Sequence, residues 1–303
     1  MAVDATIPQI WSARITHYLS GFSAFVPNAN RVYEGDANVG NVVKVPSIDR
    51  STVIRDYSRT QDLAAPEDID STTQDLLIDQ GKYFNFALED LDARQNRIPA
   101  SVLMDSKAAG AAEGLANEVD DFVASRLGGI TDANFLGGAP TAGSFDLNFT
   151  SLAKRRATSI NQPRSSLVCI TTPEVVEDID EGIIDRTYGD VVAAQNLIAG
   201  LMQDPTATTA GFVGRINGIG FYTSNSTRLR QTSAGARPSG NARGDRSVSY
   251  ILDPRDLALV VQVNQVETYR QERRFGTGVK GLVAFGAKVL NAGRMQKFVH
   301  TDA

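Results

Sequence analysis

The run Gly276-Thr277-Gly278-Val279-Lys280-Gly281 has the spacing of a dinucleotide-binding loop. That chemistry needs an apolar strand before the glycines and a helix after them, so that helix N-terminal amides meet a pyrophosphate. Here Glu272-Arg273-Arg274-Phe275 comes before and the strand-like Leu282-Val283-Ala284-Phe285 comes after. The run therefore reads as a hairpin turn, and a nucleotide-binding enzyme using Gly276–Gly281 is the remote alternative. No G-x-x-x-x-G-K-[ST] string and no G-x-S-x-G elbow occurs. His17 and His300, the two histidines, stand at opposite ends of the chain and do not suggest a histidine-rich metal site. The single cysteine, Cys169, excludes an internal disulfide and fits a reducing compartment. Asp178, Asp180, Glu181 and Asp185 cluster without the ligand order of a calcium loop and read as a solvated helix face. No catalytic, cofactor or metal site is expected. A chain of 303 residues without one is more naturally architectural than enzymatic.

Charge is distributed unevenly. Arg228, Arg230, Arg237, Arg243 and Arg246 fall in a polar segment opposed only by Asp245, and Lys154-Arg155-Arg156 forms a second basic spot. Either could touch phosphate without reading sequence. Either could equally be solvated or meet the acidic stretch around Glu67, Asp68 and Asp70 of another copy. The net charge of −5 argues against a dedicated nucleic-acid binder. No basic n-region or apolar h-region opens the chain, and no apolar run approaches a membrane span, so neither secretion nor a membrane partner is expected.

The elements that would position these groups fall into a clear order. Residues 1 to about 30 read as an arm with a loose helical stripe of Ile7, Ile10, Trp11, Ile15 and Leu19, packed on its own domain or on a neighbour. Val42 to Ile48 and Thr52 to Tyr57 read as strand runs, and Ser58 to Thr73 as a polar, acidic tip. Leu76 to Leu91 follows, with Phe84, Phe86 and Leu88 on one face and Tyr83, Asn85 and Ala87 on the other. Such a ribbon has no evident core of its own and must lean on something else.

After Pro99, Met104, Ala108, Ala112, Leu115, Val119 and Phe122 repeat at helical spacing, with Asp120 and Asp121 off the stripe, until Gly128-Gly129 stops the helix. Gly137 to Gly143 reads as a loop and the stretch to Pro163 as mixed. Ser166 to Thr171 then reads as a buried strand, Thr172-Pro173-Glu174 as a helix start, and Phe212 to Ser224 as a strand pair bent at Gly218 and Gly220. Val248 to Leu252 is a further strand, and Asp253-Pro254-Arg255-Asp256 has the residues of a helix start. Gln265 to Phe275 and Leu282 to Leu290 close the chain as strands joined by the glycine-rich turn.

Three passages are similar to the major capsid (coat) proteins of tailed bacteriophages, which have the Hong Kong 97-like fold. They are Asp79 through Gln95, Gly214-Arg215-Ile216-Asn217-Gly218-Ile219-Gly220-Phe221-Tyr222-Thr223-Ser224-Asn225, and Glu267-Thr268-Tyr269-Arg270 through Phe285-Gly286-Ala287-Lys288-Val289. The resemblance implies an α+β chain with an N-terminal arm (1–35), an extended β-hairpin loop (36–90) and a peripheral domain (91–164) containing a spine helix at about 98–128. An axial domain (165–263) and closing peripheral strands (264–303) would follow. It implies a shell subunit that assembles into pentamers and hexamers around double-stranded DNA, made in the bacterial host cytoplasm and ending in the virion. Implied partners are copies of itself, a separate scaffolding protein, a portal, a decoration or cement protein, and DNA held non-specifically. An encapsulin-like nanocompartment shell is the alternative within the fold. Assembly contacts are expected at Trp11, Lys44, Arg55, Tyr57, Glu67, Asp68, Asp70, Arg228, Arg230, Arg237, Arg243, Arg273 and Arg274.

Overall fold

The computed structural model describes residues 17, 19, 21–35, 41–48, 54, 56, 71–90, 95, 100–130, 149–163, 166–177, 211–216, 218–231, 246–272 and 274–301. Helix and sheet are mixed, as expected. One sheet has the order β3-β10-β9, where β3 is Gln80–Glu89, β9 is Leu257–Arg270 and β10 is Gly276–Val289. Both pairings are antiparallel, with Phe84 opposite Gly281 and Gly281 opposite Val266. Side chains alternate across a strand, so Phe84, Phe86, Val279, Val283 and Val266 share one face. Tyr83, Asn85, Lys280, Leu282 and Glu267 share the other.

Helix α1 (Ala100–Leu127) covers the first face. Ala108, Ala112, Leu115 and Val119 are buried as their spacing predicts, and 28 residues at about 1.5 Å each give a rod about 42 Å long. Phe122 meets Phe285 edge-on, with ring centroids 5.4 Å apart. It is half-buried rather than enclosed, and the Arg126 guanidinium lies 4.8 Å from its ring centre.

The ribbon differs from expectation in three ways. The partner of β1 (Val42–Ile48) is β2 (Ser71–Leu77), with Val43 opposite Leu76. Of the run Thr52 to Tyr57, Ile54 and Asp56 lie in no strand, and the other residues are outside the described ones. Ser71 to Thr73, read as tip, is strand, and the stretch from Leu76 onward divides at Ile78-Asp79 into strands of two different sheets. The base of the ribbon leans on another element, as expected. Val43, Val45 and Leu76 bury against Ala258 and Val260, on the sheet face opposite α1. Gly286 makes this possible, because a Cβ there would stand 2.1 Å from the Leu77 carbonyl oxygen.

A second sheet has the order β11-β8-β4-β6-β5, with β7 beside β8. Its strands are β4 (Val168–Thr171), β5 (Phe212–Ile216), β6 (Ile219–Thr223), β7 (Arg230–Gln231), β8 (Arg246–Leu252) and β11 (Gln296–Thr301). Ile170, Val248, Tyr250 and Leu252 join the core under α1. Cys169, Phe221 and Ile251 face the other way, onto Ala153 and Ala157 of α2 (Phe149–Ser159). That helix falls in the stretch read as mixed, and its buried stripe is too small-residued to stand out. The β5–β6 hairpin turns at Gly218, whose φ of 79° favours glycine.

Two local signals misled. Asp253 does accept a hydrogen bond from the Arg255 amide at 3.1 Å, as a cap should. Only a single 3₁₀ turn follows, because Leu257 to Val261 is buried on both faces and runs on as strand. The glycine run is no turn either. Gly276 to Gly281 lies inside β10, and the connection is Gln271 to Phe275. A Cβ at Gly281 would meet the Phe84 ring at 2.3 Å, and one at Gly278 the Tyr269 ring at 2.6 Å. These glycines are floors for aromatic rings, and no helix follows them to hold a pyrophosphate.

Candidate assembly surfaces

Ribbon and sheet together leave a well-defined bare area. Among the described residues, the ribbon base covers the second face of the β3-β10-β9 sheet only at the end carrying Ala258 and Val260. At the other end Tyr83 is 79% exposed and Leu282 44% exposed, although these two residues sit directly opposite each other. With Asn85, Glu267 and Lys280 they line a groove of about 420 Å³. Polar order surrounds it. The Tyr269 hydroxyl donates to Asn85 Oδ1 at 2.8 Å, and Lys280 pairs with Glu267 at 2.9 Å. That carboxylate, by hydrogen bond and by charge, holds the Lys280 ammonium above its ordinary pKa. The pair is solvent-exposed and contributes little to stability.

The ribbon has an outward face of similar character. Val42 and Leu77 are cross-strand partners and both are exposed, Leu77 by 51%; the next pair is Lys44 and Asp75. Lys44, one of the expected contacts, therefore projects from the ribbon away from its own sheet. Arg228 is exposed in the 3₁₀ turn Thr227–Leu229 beside the second sheet, and Arg230 lies in β7. Arg274 is exposed in the β9–β10 connection next to Phe275, which is also exposed. The structure does not gather these arginines into one site. Trp11, Arg55, Tyr57, Glu67, Asp68, Asp70, Arg237, Arg243 and Arg273 lie outside the described residues. The expected contacts are charged residues apart from Trp11 and Tyr57. Tyr83, Leu77 and Leu282 are exposed apolar residues outside that set, and their signal was the alternation that places an apolar residue on the outward side of a strand.

Behind these surfaces, α1 holds two further segments. Asp120, 3% exposed, accepts from the Ser23 hydroxyl and the Phe25 amide on Oδ1 (the latter at 3.4 Å). On Oδ2 it accepts from the Ala24 amide at 3.1 Å and the Ser224 hydroxyl at 2.8 Å. Burial pushes its carboxyl above the ordinary value, and the four hydrogen bonds pull the other way without cancelling that rise. Asp121 accepts from the Ser226 hydroxyl at 2.5 Å. Among the described residues no group of three or more His, Cys, Asp or Glu could hold a metal ion.

No family model matches the chain, and no curated protein matches it by sequence. Solved structures do match. A structure from Mycobacterium phage Che8 is 25% identical, covers 91% of this chain and 90% of its own, and has a TM-score of 0.65. The capsid of Ralstonia phage GP4 is 11% identical over 94% of this chain and 90% of its own, also with a TM-score of 0.65. This chain has the fold of phage capsid proteins. The same fold extends to a virus-like particle from Pyrococcus furiosus, 11% identical over 97% of this chain and 99% of its own, with a TM-score of 0.52.

Proposed function

We propose that the chain is the major capsid protein of a tailed phage, assembling into pentamers and hexamers that tile an icosahedral shell around double-stranded DNA. One observation carries this reading: the chain's own ribbon covers one end of a sheet face and leaves the other end, with Tyr83 and Leu282, open. Exposed apolar strand surface is an association liability unless another chain covers it. A shell supplies that cover for every copy through head-to-tail contacts that close under symmetry. In this reading α1 is the spine helix, the β1–β2 ribbon belongs to the extended loop, and the second sheet forms the axial domain. A separate scaffolding protein, a portal and a decoration or cement protein would act with it, and packaged DNA would be held by non-specific basic contacts.

The likeness to the virus-like particle favours a second reading, a cellular nanocompartment shell that encloses protein. Electron microscopy of the expressed chain, alone and with a scaffold, tests both. Closed shells or capsomers are expected, and nucleic acid or protein in the lumen separates the two. A monomer under every condition would refute both.

A further inference from the structure

Asp120 joins three parts of the chain that are far apart in sequence. One is α1 itself. The second is residues 23–30, which run as a strap from the Asp120 carboxylate to the edge of β9. There the Asn30 amide donates to the Leu257 carbonyl at 2.8 Å, and the Leu259 amide donates to the Asn30 carbonyl at 3.0 Å. The third is the turn after β6, where Ser224 bonds Asp120 and Ser226 bonds Asp121. Each serine is braced in turn. Ser23 Oγ accepts from the Val26 amide at 3.0 Å, and Ser224 Oγ accepts from the Ser226 amide at 3.3 Å.

We propose that the strap and the turn after β6 form one coupled unit, seated and released together through the Asp120–Asp121 pair of α1. The reason is the count of donors. A buried carboxylate is tolerated only when its oxygens are hydrogen-bonded, and here the donors are split between the two segments. Withdrawing either segment leaves the carboxylate short of donors. It then reaches for water, and the other segment loses its anchor. Asn30 leaves with the strap, so seating of the strap also governs whether the β9 edge at Leu257 to Leu259 is covered.

Hydrogen exchange by mass spectrometry on the full-length chain tests the coupling, because the Ala24 and Phe25 amides bond Asp120 directly. Ser224→Ala removes only a hydroxyl on the turn, yet it should speed exchange of residues 24–30 by roughly tenfold, the worth of a hydrogen bond to a charged group. Ser23→Ala should reciprocally speed exchange at residues 226–229. The Ser23→Ala/Ser224→Ala double variant should fall short of the product of the single effects, since both act on one carboxylate. Exchange in β10 at Val279 should not change. Effects confined to the substituted segment would overturn the proposal, as would a uniform rise that includes β10. Both serine substitutions are mild enough to leave a folded chain, so the test does not depend on an Asp120 variant.

Discussion

Substituting alanine for Gly286 places one methyl group where the ribbon crosses β10. Its Cβ would lie 2.1 Å from the Leu77 carbonyl oxygen and 2.9 Å from Ile78 Cα. A carbon and a carbonyl oxygen settle no closer than about 3.3 Å, so the deficit is about 1.2 Å. Both neighbours are backbone, and no rotamer change relieves the clash; β2 must lift from the sheet. A gap of about 0.5–1 Å forfeits a quarter to a half of each dispersion contact, and the loss falls on Val43, Val45 and Leu76 against Ala258 and Val260. Overpacking of this kind costs about 1–3 kcal/mol, a drop of a few degrees in Tm for a chain of this size. The lifted ribbon should also assemble less efficiently. Gly293→Ala is the control, since a Cβ there meets nothing within 4 Å. Thermal unfolding and sedimentation of both variants decide the matter. If Gly286→Ala melts and assembles like Gly293→Ala, the close crossing of ribbon and sheet is refuted.

Removing residues 58–70, short of the Ser71 that pairs with Ile48, should leave Tm within a few degrees while reducing assembly seen by electron microscopy; loss of folding would contradict the separation of tip from core. Phe122→Asp should cost about 2–4 kcal/mol by losing the Phe285 contact and placing a carboxylate beside it, with Arg126 offsetting part, and an unchanged melting curve would count against the α1 packing. Asp120→Asn should alter the pH dependence of stability. Since the folded carboxyl titrates above its ordinary value of 3.8, the folded chain takes up the proton first as pH falls, and this side chain's contribution grows more favourable down to the ordinary value. Tm of the native chain minus Tm of Asp120→Asn should therefore rise on acidification through that window, and a falling difference would mean that the hydrogen bonds outweigh burial. Tyr83→Asp should leave Tm nearly unchanged, because the ring is exposed, yet hinder assembly measured by light scattering; normal shells would remove the bare sheet end from the interface.

The sequence was most legible where one periodicity ran long without interruption. Pro99 and Gly128-Gly129 marked the ends of α1 and the stripe between them its buried side, and the alternation through Phe84 and Phe86 gave the faces of β3. Legibility failed where a local signal competed with tertiary burial. Asp253-Pro254 has true capping chemistry, but the apolar run after it satisfies two sheet neighbours better than it could satisfy a helix. The glycines of β10 looked like a turn because glycine is common in turns; here they make room for Phe84 and Tyr269, which no local pattern announces. Asp120 looked like solvent-facing charge, and its donors come from residues about a hundred positions away on either side. The bare sheet end was hidden for a related reason. Tyr83 alternates correctly as an outward residue, and only the location of the ribbon base shows that, among the described residues, the ribbon does not lie over it.

The bedding of the ribbon root on Gly286 has a consequence for construction. If copies assemble as proposed, strands anchored this flatly would take their heading from their own chain rather than from whichever neighbour they first encounter. In the proposed shell, each copy would thus present β1 and β2 at an angle set by its own sheet, an inherited setting rather than a negotiated one.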